Sequence, residues 1–244
     1  MRNIWTITKK EFSGFFHSPV AYVVGVVTFL VMGIFFTLDL NSAILFQFTP
    51  EFTYLLDILI FPLIFLSAPI LTMKTLTEEN RTGTLELLLT APVRDFELII
   101  GKWLGTFLFF LSIIGLTWFY PITHNFVIEP GIDLPKIIAN YAGIVLIISS
   151  LTAIGVCISS LFKNTIASLI TSLGVMLILW VASAPAQFLQ GTTAAFFMNL
   201  SITSHYGNTF RNGVIDLMGI SYYISITFLA LFLATQTISS RRWR

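Results

Sequence analysis

The sequence predicts an all-α integral membrane protein with six transmembrane helices, an N-terminal interfacial helix and a short cytoplasmic helix after the second span. Three observations lead there. Of 244 residues, 56% are hydrophobic and 10% are charged, whereas a soluble domain carries about 25% charged residues, so the polar surface of a water-soluble fold is missing. The apolar residues gather in runs close to the roughly 20 needed to cross a hydrocarbon core of about 30 Å, at 20–38, 53–73, 99–120, 138–161, 165–186 and 217–238. Basic residues separate by side. With the N-terminus inside, Arg2, Lys9, Lys10, Lys74, Arg81, Arg94, Lys102, Lys163, Arg241, Arg242 and Arg244 fall in cytoplasmic segments. Only Lys136 and Arg211 fall outside, which predicts cytoplasmic termini and fits an even number of spans.

Taken in order, residues 1–16 place Ile4, Trp5, Phe12, Phe15 and Phe16 on one side of a helix, with Arg2, Thr6, Lys9, Lys10 and Ser13 on the other. Such a pattern suits a helix lying in the membrane interface, or a simple basic anchor. Ser18-Pro19 ends it and turns the chain into the bilayer. The first apolar run follows a polar, basic lead and is too long for an h-region, so no cleavable signal peptide is expected. The second span carries Asp57, Pro62 and Pro69, and its prolines predict a kink. Asp57 marks a possible substrate path, because an ionisable group at membrane depth is a functional hypothesis by default, unless it reaches the wet outer interface. Spans four and five are parted only by Phe162-Lys163-Asn164, a tight helical hairpin. Cys157 has no second thiol and reads as a packing residue.

Between spans two and three, residues 74–98 form a polar segment well placed to meet a soluble partner. Leu85, Leu88 and Leu89 share one helical face at i, i+3 and i+4, with Glu86 turned elsewhere, as a helix docking in a groove requires. A helix resting on lipid headgroups would show the same face. Gly83 precedes this run, Pro92 ends or bends it, and a second short helix from Val93 leads to the third span. Glu78, Glu79 and Arg81 offer charge complementarity, which sets register and partner choice more than affinity.

Here the sequence becomes specific. Glu78-Glu79-Asn80-Arg81-Thr82-Gly83-Thr84-Leu85-Glu86-Leu87-Leu88 resembles the segment after the second span in ABC-2 type transporter permeases. Phe16-His17-Ser18-Pro19-Val20-Ala21-Tyr22 resembles the start of their first span, and the resemblance extends over nearly all of 1–244 as a single domain. It implies a permease subunit driven by a separate ABC ATPase, which binds ATP and Mg, working in export or in mechanical transmission across the cytoplasmic membrane. It also implies a second permease copy or a related membrane subunit, such as one with a large extracytoplasmic domain.

The outer loop 187–216 is long for a connector and should carry structure of its own. Its end, from Leu200 to Asp216, is similar to a stretch in permeases linked with gliding motility and copper-site maturation. Where that pattern often has a second Asp, this chain has Gly219, but it keeps Tyr222 and Tyr223. His205, Arg211 and Asp216 are candidates for an outer gate or a partner contact, with a hydrogen-bonded structural cap as the alternative; Arg211 is expected to pair with Asp216 or with a partner group.

Several functions lack material. Gly101-Lys102 is followed by Trp103 and has no upstream glycine, so there is no P-loop and ATP hydrolysis falls to another chain. His17, His124 and His205 are too dispersed for a metal centre or a catalytic triad. A net charge of +1 gives no reason to expect nucleic acid; the expected non-protein contacts are membrane lipids. A carrier without ATP, or a lipid scramblase, is the rival class, favoured by paired intramembrane charges and inverted repeats that the sequence does not display.

Overall fold

The computed structural model describes residues 2–46, 52–60, 67–84, 93–127 and 131–242. Regular structure among them is helical throughout: α1 (Arg2–Phe16), α2 (Pro19–Phe46), α3 (Phe52–Ile60), α4 (Ala68–Thr72), α5 (Thr77–Thr82), α6 (Asp95–Thr117), α7 (Phe119–Val127), α8 (Leu134–Leu161), α9 (Thr165–Val181), α10 (Thr192–Leu200), α11 (Ile202–Asn208) and α12 (Leu217–Arg242). Among the described residues, five stretches are long and apolar enough to cross a membrane: Pro19–Ser42, Asp95–Phe126, Leu134–Leu161, Thr165–Gln187 and Leu217–Ser240. The expected span at 53–73 is represented by α3 and α4 at its two ends, residues 61–66 lying outside the described set. The third runs longer than its apolar stretch suggested, through a joint at Trp118 into α7.

The axis of the bundle is α8. Ile144, Ile147, Ile148 and Leu151 are fully buried there against Phe109 and Phe110 of α6 and Tyr223 of α12. Small and hydroxyl residues let its neighbours approach closely, as membrane helix packing favours. A side chain at Gly155 would collide with Thr72 of α4, Ser150 Oγ donates to the Tyr223 carbonyl at 3.0 Å, and Trp103 Nε1 donates to the Ser149 carbonyl at 3.1 Å. By contrast, α2 leaves Tyr22, Val26, Leu30 and Ile34 exposed, and α9 leaves Ile166, Ile170 and Ile178 exposed, faces suited to lipid or another subunit. The α8–α9 turn is the tight hairpin its spacing predicts; Asn164 Oδ1 accepts from the Ile166 amide at 2.9 Å and caps α9.

Leu76, Leu98, Ile99, Val156, Ala234 and Ile238 form one small cluster that gathers the start of α6 and the ends of α8 and α12 at a single end of the bundle. Here α1 packs along α6 through more of its surface than the amphipathic pattern suggested. Thr8 is buried and its hydroxyl donates to the Gly101 carbonyl at 3.2 Å. A Cβ at Gly101 would stand 2.8 Å from Ile7 Cβ, and one at Gly105 would stand 3.2 Å from the Thr8 carbonyl oxygen and from the Phe12 amide. Gly101 and Gly105 thus form a small-xxx-small seat. Phe15 stacks on Phe109 with ring centroids 5.0 Å apart, while Trp5 points outward, 64% exposed. The opposite end is closed by α10, α11 and the turn Phe210–Asn212.

Candidate functional site

The polar segment after the second expected span is fastened to two spans. Its described part, α5, ends at Gly83, whose φ of 74° is a left-handed cap that suits glycine. Thr77, fully buried, donates from Oγ1 to the Ser159 carbonyl at 3.1 Å, and Asn80 Nδ2 donates to the Phe162 carbonyl at 3.0 Å. Both bonds tie α5 to the end of α8. Glu78 and Arg81 face outward, and Glu78 makes only a 3.8 Å pair with Lys74, both half exposed. Glu79, grouped with them by sequence as a surface charge, turns inward instead. Its Oε1 lies 2.8 Å from Lys102 Nζ. Leu85, Glu86, Leu88 and Leu89 lie outside the described residues.

Lys102 is the residue that sequence reasoning placed only as a topological charge. It is 2% exposed, and its ammonium spends its three protons on Glu11 Oε1 of α1, the Thr75 carbonyl and Glu79 Oε1 of α5, each at 2.8 Å. The two carboxylates are themselves about four-fifths buried, so solvent screens these pairs poorly. Glu79 Oε2 is buried with no partner among the described residues. The available signal was a lysine between two glycines spaced for helix contact, at the mouth of an apolar run.

At the opposite end the outer loop folds into a cap. Phe210 is fully buried against Gly143 of α8, where a Cβ would stand 2.7 Å from the Phe210 Cβ. Gly213, with φ of 83°, turns the backbone beside Lys136, whose Cα an added Cβ would meet at 3.3 Å. Tyr206 Oη donates to Asn140 Oδ1 at 2.8 Å, Asn140 Nδ2 donates to the Arg211 carbonyl at 3.3 Å, and Tyr223 Oη donates to the Ile202 carbonyl at 2.6 Å. Burial pushes the Tyr206 hydroxyl well above its usual range. Arg211 does not meet Asp216. Its Nη2 lies 2.9 Å from Asp57 Oδ2, in a pair that is 50% and 27% exposed, because the turn at 210–212 points the guanidinium toward α3. His205 packs edge-on against Tyr222 with centroids 3.9 Å apart; burial lowers its pKa while the nearby Asp216 carboxylate raises it, and burial is the larger effect. The trio of the sequence is thus divided, with His205 beside Asp216 and Arg211 with Asp57.

Among the described residues no three of His, Cys, Asp and Glu gather in a metal-binding group. Compared with known proteins, residues 5–238 match the family model described as "ABC-2 family transporter protein". No curated protein gives a significant match.

Proposed function

The chain belongs to the ABC-2 transporter family, and from that premise we propose that it is the permease subunit of an ATP-driven transporter, coupled to a separate ABC ATPase through residues 78–89. As a member it is a multi-pass membrane component of a transporter. The observation that carries the finer reading is the attachment of α5 to two spans at once, by Thr77 and Asn80 to the end of α8 and by Glu79 to the start of α6. A displacement applied at α5 reaches both spans through buried polar bonds, which resist shear because breaking one strands an unpaired group. Glu78, Arg81 and, further along, Leu85, Glu86, Leu88 and Leu89 are left for the ATPase, with Gly83 as the turn between anchored and docking parts.

On this reading both termini are cytoplasmic, in the cytoplasmic membrane, and ATP and Mg stay on the partner. The cap with His205 and Asp216, and the Asp57–Arg211 pair, form the outer gate or the contact for an extracytoplasmic partner. Two permease subunits complete the complex, working in export or in mechanical transmission. Leu88→Asp tests the docking: the ATPase is lost from the purified complex while the permease stays inserted and folded. An unchanged complex moves the interface elsewhere.

A further inference from the structure

We propose that Lys102 is a positioning residue that makes α1 a moving part of the transmission, by clamping the N-terminal helix to the coupling segment through Glu11 and Glu79. The inference rests on the ATP-driven reading. An amphipathic helix at the start of a membrane protein is ordinarily an anchor, held by lipid and indifferent to the spans. Here α1 is seated on glycines 101 and 105, so its backbone follows α6 at close range. One buried ammonium then bonds α1, the turn before α5, and α5 itself, with all three distances at 2.8 Å.

The chemistry explains why an ion cluster stands where packing would do. Apolar side chains of similar volume stabilise such a site as well as a buried pair does, but they fix no register. A single ammonium shared by two carboxylates does fix it. Neither Glu11 nor Glu79 can slide without breaking its bond to the ammonium and stranding its own mostly buried carboxylate, and among the described residues no other lysine is buried. The arrangement is costly, since Glu79 Oε2 finds no partner among the described residues, and it persists at the junction through which ATPase motion enters.

The test uses the complex of full-length permease with the ATPase that co-purifies with it, reconstituted in nanodiscs and carrying Cys157→Ser. Spin labels at Ser13 of α1, Arg81 of α5 and Ser240 of α12 report three distances, without nucleotide and with ATP plus vanadate. The clamp predicts an unchanged Ser13–Arg81 distance while both distances to Ser240 shift. In Lys102→Met the Ser13–Arg81 distance loses its single narrow value and responds to nucleotide. The charge-swapped Lys102→Glu with Glu79→Lys, which again offers one lysine to two glutamates, restores it. A wild-type Ser13–Arg81 distance that shifts with nucleotide as much as the others overturns the clamp and leaves the ATP-driven reading intact. The same holds if Lys102→Met and the swapped variant both keep the wild-type value. Three distances that never respond to nucleotide refute the ATP-driven reading, and the clamp with it.

Discussion

Replacing Gly105 by alanine should pull α1 off its seat, and the expected cost follows from the contacts. The new Cβ would stand 2.5 Å from Glu11 Cβ and 3.2 Å from the Thr8 oxygen and the Phe12 amide. Carbon pairs rest at about 3.5–4.0 Å, so α1 has to withdraw by about 1 Å, which forfeits up to about half of each contact along the seat. Two of the three obstacles are backbone atoms, which cannot rotate away. Overpacking of this kind costs about 1–3 kcal/mol. Gly115 is the control within the same helix, because nothing lies within 4 Å of its would-be Cβ. Both substitutions gain the same helical preference of about 1 kcal/mol, so this contribution cancels between them. Equilibrium unfolding of the purified chain in detergent should therefore rank Gly105→Ala below Gly115→Ala by about 1–3 kcal/mol, and trypsin should cut faster at Lys9 or Lys10 in the former. Equal stability and equal proteolysis would refute the packed position of α1.

Other outcomes are expected. Cysteines at Asn80 and at Ser240 should resist an impermeant thiol reagent in intact cells, whereas one at Gly191 should react; labelling of Asn80 from outside contradicts the orientation. Asp57→Asn removes a half-exposed pair and should change unfolding free energy by less than about 1 kcal/mol, while Asn140→Leu strands Tyr206 and the Arg211 carbonyl and should cost about 1–3 kcal/mol; the reverse order contradicts the cap. Because burial lowers the folded-state pKa of His205, the unfolded cap binds the proton more readily. The stability it lends is present above the ordinary histidine value of about 6.5 and is lost as pH falls below it. Tryptic cleavage after Arg211 should accelerate between about pH 7.5 and 5.5, and His205→Asn should flatten the profile; a wild-type cleavage rate indifferent to pH argues against burial.

Much of this was legible because it depends on local pattern. Apolar run length located five of the six expected spans among the described residues, and Phe162-Lys163-Asn164 announced the turn before α9. The remainder depends on contacts between distant residues. An amphipathic pattern shows that α1 has an apolar face but not whether lipid or α6 meets it. A lysine at the mouth of a span reads the same whether it snorkels to water or is buried, and Glu11 lies 91 residues from Lys102. Likewise, sequence proximity suggested Asp216 for Arg211, where the fold supplies Asp57 from another helix. Glu78 and Glu79 are adjacent, yet helical geometry sends one outward and the other to the ammonium.

Purification of the tagged full-length chain from its own membranes, followed by an ATP hydrolysis assay, tests the central claim most directly. The account predicts that an ABC ATPase subunit accompanies the chain, that the preparation hydrolyses ATP in a vanadate-sensitive way, and that both are lost with Leu88→Asp. A folded, membrane-inserted chain that purifies without any ATPase and without hydrolysis would contradict it.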